Sequence, residues 1–257
     1  MDLKGKRIVV TGASSGIGQA FARRLAKAGA RVVGVARNPQ YITEALGDLG
    51  VQAIGCDVSE PAQVDEMLKK AEEMLGGIDV FVANAGFAYY GVIGPPDWDK
   101  NERIFKTNVL SPIYTLQKLA QGRQEKLTFM LTISALGKMV LPGFALYNAT
   151  KFAMDGFVRT YRMEKPRNIK IMPVYPIGTL KTRFFKKADC APVPVPPQPV
   201  GVVAWCMEMG LRVGARSVYT SIVFLVRCLL VRVLPVDLIS QAIERIRFSI
   251  WRKQHQQ

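Results

Sequence analysis

Histidine is almost missing from this chain: one, His255, stands among 257 residues. The cysteines are Cys56, Cys190, Cys206 and Cys228, scattered and without a CxxC pair. So sparse a supply of soft and imidazole ligands assembles no metal site, and zinc-type catalysis is not expected. Thiols so dispersed fit a reducing compartment. Long uncharged apolar runs are lacking too. The most apolar segment, residues 217–239 (SVYTSIVFLVRCLLVRVLPVDLI), is interrupted by Arg227, Arg232 and Asp237. Crossing a bilayer takes ~20 predominantly apolar residues, so a transmembrane helix is disfavoured. MDLKGKR leads straight into an apolar strand pattern with no hydrophobic leader, and a cytoplasmic protein without a secretory signal is expected. No repeat or low-complexity linker divides the chain, which reads as one domain.

Acidic side chains are few, 20 against 35 lysines and arginines, for a net charge of +15. Nucleic-acid binding would require a basic stripe or a reader motif; neither is visible, and no nucleic-acid partner is expected. Two readings of the charge remain: capture of anionic small molecules, and contact with a membrane surface.

What is present is an alternation of apolar strands and amphipathic helices. RIVV, RVVGVA, AIGCDV, DVFVANAG, TFMLTIS and IKIMPVYP read as strands, with helical patterns between them over 20–28, 40–47, 62–75, 99–119 and 146–163. This pattern predicts an α/β fold, a doubly wound parallel sheet with right-handed crossovers. Immediately after the first strand comes Thr11-Gly12-Ala13-Ser14-Ser15-Gly16-Ile17-Gly18, opening a helix. Glycines there let the backbone approach a pyrophosphate, and free amides at the helix start donate to its charge. Further on, Tyr147 and Lys151 stand one helical turn apart in YNATK. An ammonium so placed favours phenolate and is expected to hold the tyrosine pKa down, readying it for proton transfer.

On these motifs the chain resembles the short-chain dehydrogenase/reductase family over roughly residues 4–185. TGASSGIG is similar to the family's TGxxxGxG turn, Asn84-Ala85-Gly86 to its NAG motif, Asn108 to its helical asparagine, Ser134 to its serine, and Tyr147 with Lys151 to its YxxxK. The resemblance implies a Rossmann-like, NAD(P)-dependent oxidoreductase. In it Tyr147 would be the general acid, Ser134 would bond the substrate carbonyl, Lys151 would bind the nicotinamide ribose, and Asn108 would hold a water. It also implies a homodimer or homotetramer paired through the helices carrying Asn108 and Tyr147. Asp57, beside Val58, resembles the residue that bonds the adenine amino group; as a helix cap before Pro61 it reads equally well. The run after Tyr175-Pro176 departs from the family's PGxVxT by Ile177. With Gly178 aligned, Leu180 and Thr182 would bind the nicotinamide carboxamide.

Dinucleotide choice can be argued from residues alone. The second strand pattern ends in Ala36-Arg37, with no carboxylate to bond a ribose 2′-hydroxyl. An arginine there can bond a 2′-phosphate, and Ser14 and Ser15 add hydroxyls, so NADP(H) is expected; the other reading of Arg37 is a solvated cation. Residues 1–190 are read as the dinucleotide-binding and catalytic core, and 191–257 as substrate lid and C-terminal apolar helical segment of the same domain. Phe184 and Phe185 suggest an apolar ketone or alcohol substrate, of 3-oxoacyl or 3-ketosphingoid type. A polyol or sugar reductase, or an idle dinucleotide-binding scaffold, are the rival readings. The segment 217–239 either packs on protein or lies as a basic amphipathic helix on a membrane.

Overall fold

The computed structural model describes residues 1–164, 167–179 and 197–230, with Ile246 and Ile250. Seven strands, β1 (Arg7–Thr11), β2 (Arg31–Ala36), β3 (Gln52–Gly55), β4 (Val80–Ala83), β5 (Leu127–Thr132), β6 (Ile169–Tyr175) and β7 (Val218–Tyr219), form one sheet in the order β3-β2-β1-β4-β5-β6-β7. Every pairing is parallel. The helices are α1 (Gly16–Lys27), α2 (Gln40–Leu46), α3 (Pro61–Leu75), α4 (Trp98–Phe105), α5 (Ser111–Ala120), α6 (Ala145–Glu164), α7 (Val200–Val213) and α8 (Ile222–Leu230).

Strand residues alternate between two apolar layers, because successive side chains of a strand point to opposite faces. Val9, Phe81 and Phe129 pack with α3, α5 and α6 through Met67, Leu116 and Met154. Ile8, Val10, Val82 and Met130 pack with α1, α2 and α7 through Phe21, Ile42 and Met207. Burial on both faces explains why the strands read as near-continuous apolar runs. The result is a single-domain Rossmann-like sandwich. The order in which strands are added reverses between β1 and β4, and the crevice at the carboxyl ends of such strands is where this fold type binds ligands.

Two expectations need correction. The pattern over 99–119 predicts one regular helix; instead α4 and α5 are joined by a π-helical turn, Lys106–Leu110, which widens the helix at Asn108. Such bulges cluster at functional sites because the extra residue re-aims a side chain. The segment 217–239 does not begin as a helix. Val218–Tyr219 is the seventh strand, and only then does α8 begin, its Phe224 buried against the core. Residues 231–239 of that segment lie outside the described residues, as do Leu180, Thr182, Phe184 and Phe185. Among the described residues no helix is long and apolar enough to cross a membrane.

Candidate active site

The glycine turn is built by close approach. Gly12, at φ +68°, donates its N–H to Val35 O at 2.8 Å, and a Cβ there would come within 3.0 Å of Asn84 Nδ2. A Cβ on Gly18 would overlap Gly12 O and lie 2.5 Å from Asn84 Nδ2, so only glycine lets α1 start this close to β4. Gly16 takes φ +58° at the first position of α1, and Ile17 packs against the apolar layer below. Thr11 clamps the other side of the crevice. Its hydroxyl donates to Val82 O at 3.2 Å and accepts from the N–H groups of Asn84 and Ala85, each at 3.0 Å.

From this clamp a chain of bonds runs to the catalytic candidates. Asn84 Nδ2 donates to Thr11 O at 3.1 Å, Thr132 Oγ1 donates to Asn84 Oδ1 at 3.2 Å, and Lys151 Nζ donates to Thr132 O at 3.0 Å. Lys151 and Tyr147 share one face of α6; they are 5% and 6% exposed, with the ammonium 5.4 Å from the phenol ring centroid. Ser134, just beyond β5, is hydrogen-bonded to the Tyr147 hydroxyl. Asn108, 2% exposed, donates from Nδ2 to Phe87 O at 2.9 Å and Thr150 Oγ1 at 3.2 Å, while its Oδ1 accepts from Phe87 N at 3.2 Å. Gly86 lies between: a Cβ there would be 3.1 Å from Asn108 Oδ1 and 3.9 Å from Lys151 Nζ. Four residues far apart in the chain therefore meet at the carboxyl edge of β4 and β5.

Ser134 is strained. It is the one non-glycine residue with positive φ among the described residues, at φ +133° and ψ 158°. That region is almost restricted to glycine, and holding a serine there costs about 1–3 kcal/mol. Its hydroxyl also accepts from Leu136 N at 3.1 Å, opening a short 3-10 turn, Ala135–Gly137.

Electrostatics here are ruled by burial. It pushes the Tyr147 hydroxyl above its ordinary value, with the Ser134 bond pulling the other way. The lowering expected from Lys151 is therefore not found: burial leads and the phenol is raised. Lys151 itself is pushed down to about 8, again by burial. Among the described residues Thr132 O is the only acceptor for its three N–H donors. The other two N–H groups have no acceptor among the described residues.

The dinucleotide-side residues are spread along the same edge. Ser15 caps α1 by backbone only, with no side-chain bond and no acidic residue in the first turn, so these amides have no carboxylate competitor. Arg37 follows β2, is exposed, and makes no ion pair among the described residues. Asp57 Oδ1 is taken by Ser59, accepting from its N at 3.0 Å and its Oγ at 2.7 Å. The N-cap of α3 is Glu60, so Asp57 shapes the turn leading into the helix without capping it. Val58 packs on the core beside it. The donor set of half-buried Ser14 and Ser15, helix amides, Arg37 and Lys151 fits a nicotinamide dinucleotide.

Pattern reading missed the aromatic wall. Phe87, Tyr89, Tyr90 and Phe144 pack with Tyr147 into a third apolar cluster. Tyr90 and Phe144 lie 4.8 Å apart between centroids, Phe144 and Tyr147 6.1 Å, and Phe87 and Tyr89 5.3 Å. The signal was the run FAYY directly after NAG, which has no strand or helix period.

A parallel sheet with a glycine turn at its reversal point, and a serine, tyrosine and lysine converging beside it, defines a dinucleotide-dependent oxidoreductase fold. The family model for short chain dehydrogenases matches residues 6–191, and the chain belongs to that family. 3-Ketodihydrosphingosine reductase of Bos taurus is 31% identical over 206 residues, covering 74% of this chain and 61% of the relative. The chain thus spans about three fifths of that relative's length. A short chain dehydrogenase/reductase from Burkholderia phymatum in complex with NAD shares the fold, with a TM-score of 0.79 at 21% identity over 94% of this chain and 96% of that one. A short chain dehydrogenase from Burkholderia cenocepacia J2315 in complex with NADP gives a TM-score of 0.73 at 26% identity, over 85% and 97%.

Burial of Lys151 has a measurable sign. The folded protein holds this proton less tightly than the unfolded chain, whose lysine titrates near 10.5, so stability rises as pH climbs from about 8 toward 10. Lys151→Met should raise the stability of the dinucleotide-free protein at pH 7 by about 2 kcal/mol and flatten that rise. Thermal melts across a pH series check both outcomes.

Proposed function

We propose that the protein is an NADPH-dependent reductase of an apolar, lipid-like ketone, working reversibly as an alcohol dehydrogenase. One observation carries this reading: the buried Tyr147 hydroxyl, bonded to Ser134 and one turn from an under-bonded Lys151. NADPH, when bound, supplies the hydride delivered to the carbonyl carbon. As the substrate oxygen gains charge, the Ser134 hydroxyl donates to it and Tyr147 transfers its proton, so ketone, hydride and proton balance to alcohol. A phenol kept protonated by burial suits this direction, because an alkoxide is far the stronger base. Lys151 is left to bond ribose hydroxyls with its two spare N–H groups, and Asn108 to hold a water through which Tyr147 regains its proton. Leu180 and Thr182 would bond the carboxamide, and Asp57 the adenine through its second oxygen.

Arg37 and the lack of a carboxylate at the end of β2 support NADPH over NADH. The wall of Phe87, Tyr89, Tyr90 and Phe144 supports an apolar substrate over a polyol, since it offers area for hydrocarbon. The bovine relative's name, a ketosphingoid reductase, agrees with a long-chain ketone. Peripheral membrane contact would serve such a substrate. On α8, Ile222 and Val223 are each 76% exposed, and Val226, Leu229 and Leu230 extend the same apolar surface beside Arg227.

Tyr147→Phe should lower the rate of NADPH oxidation with a long-chain 3-ketone at least a hundredfold. An unchanged rate would overturn the reductase reading in favour of an idle scaffold, and faster turnover of sugar ketones would redirect it to polyols. For Arg37→Glu, KM for NADPH should rise on the order of tenfold while that for NADH falls, the loss expected for one charged hydrogen bond. Initial rates with both dinucleotides decide it. Flotation with anionic liposomes tests α8: Val223→Glu with Leu229→Glu should abolish it, and equal flotation would exclude that surface. Truncation is a poor test, because β7 and Phe224 belong to the core.

A further inference from the structure

Asp155 stands one turn beyond Lys151 on α6 and is 4% exposed. The chemistry above does not use it, yet its carboxylate is fully engaged. Oδ1 accepts from Tyr175 Oη at 2.6 Å and from Lys138 Nζ at 3.0 Å, and Oδ2 pairs with Arg159 Nη2 at 2.7 Å. The Lys138 ammonium also lies 4.7 Å above the Tyr175 ring.

Both inner partners of this carboxylate flank the turn that begins at Ser134. Lys138 is the residue that closes the Ala135–Gly137 turn. Tyr175 ends β6, and the carbonyl of the next residue, Pro176, accepts from Ala135 N at 2.8 Å. The turn also lies directly on α6, for a Cβ on Gly137 would be 2.9 Å from Lys151 O. A strained backbone persists only where its surroundings over-determine it, and Ser134 at φ +133° is such a backbone. Buried charge networks are poor sources of net stability, since apolar replacements often match or exceed them. What they supply well is directional geometry.

We propose that Asp155 is a positioning residue: from the helix that carries Tyr147 and Lys151 it holds, through Lys138 and Tyr175, the strained turn that presents the Ser134 hydroxyl to the substrate carbonyl. The role rests on the reading of Ser134 as the group that bonds that carbonyl. It ties the proton donor and the carbonyl-orienting hydroxyl to one rigid frame, although they come from different elements.

Lys138→Met tests the link without emptying the buried carboxylate site, which keeps Arg159 and Tyr175. The expected result is a fall in kcat of roughly tenfold, the scale of a sub-ångström misplacement, with the Kd for NADPH unchanged within about twofold. Lys138→Arg, which keeps the charge, should restore most of the loss. In a Ser134→Ala background, measured at its residual rate, Lys138→Met should change kcat by less than about twofold, because the group it positions is gone. An equal loss in both backgrounds, or no loss in either while Tyr147→Phe abolishes turnover, overturns the positioning role alone. Activity indifferent to Tyr147→Phe overturns the underlying reading of the site instead. Exchange of the Leu136 amide, which donates to Ser134 Oγ, should speed up in Lys138→Met; unchanged protection would also count against the role.

Discussion

An ammonium held almost dry, with one main-chain acceptor, is the arrangement on which this site depends. Lys151 could not be buried beside Tyr147 unless Thr132 O were waiting for it, and that carbonyl belongs to a residue whose own hydroxyl is tied to Asn84 and so to Thr11 at the glycine turn. The glycine turn and the Tyr147–Lys151 pair are thereby one bonded structure. Among the described residues, Thr132 O is the one acceptor that offsets the cost of desolvating the lysine. Under the proposed function a ribose would accept the lysine's remaining hydrogen bonds, so a stabilising replacement at this position would be a functional loss.

The same logic of local sacrifice governs Ser134. A serine in a glycine-like conformation opposes folding, yet in that conformation its hydroxyl bonds Tyr147 from beyond the end of β5. The turn is pinned from three sides: by β6 through Pro176 O, by α6 through the close contact at Gly137, and by the Asp155 network through Lys138. The π-helical turn at Asn108 is a parallel case, an irregular element stabilised by the bonds of one amide to Phe87 and Thr150. Regular sheet and helix provide the frame, with Tyr147 and Lys151 on α6, while Ser134 and Asn108 sit where regularity is interrupted.

Much of this was legible in the chain. Apolar periods placed six of the seven strands, since a buried parallel strand is nearly continuous in Val, Ile and Phe. The glycine turn was legible because only glycine tolerates the approach of β4 and α1, and Tyr147 with Lys151 because a helical period puts them on one face. The two-residue β7 was not, because so short an edge carries no period. The π-helical turn was hidden for a related reason: one extra residue per turn barely disturbs an apolar stripe.

The amino-acid order by itself determined the layered fold and the family and pointed to the candidate site residues, because these follow from periodicity and from motifs whose chemistry is local. Only the tertiary structure decided how those groups titrate and what surrounds them. A lysine four residues from a tyrosine, read from helical spacing alone, predicts a phenol of lowered pKa. Packing removed the water, and desolvation then raised the phenol and lowered the ammonium. The aromatic wall and the Asp155 network likewise join residues from separate elements, so no window of sequence contains them.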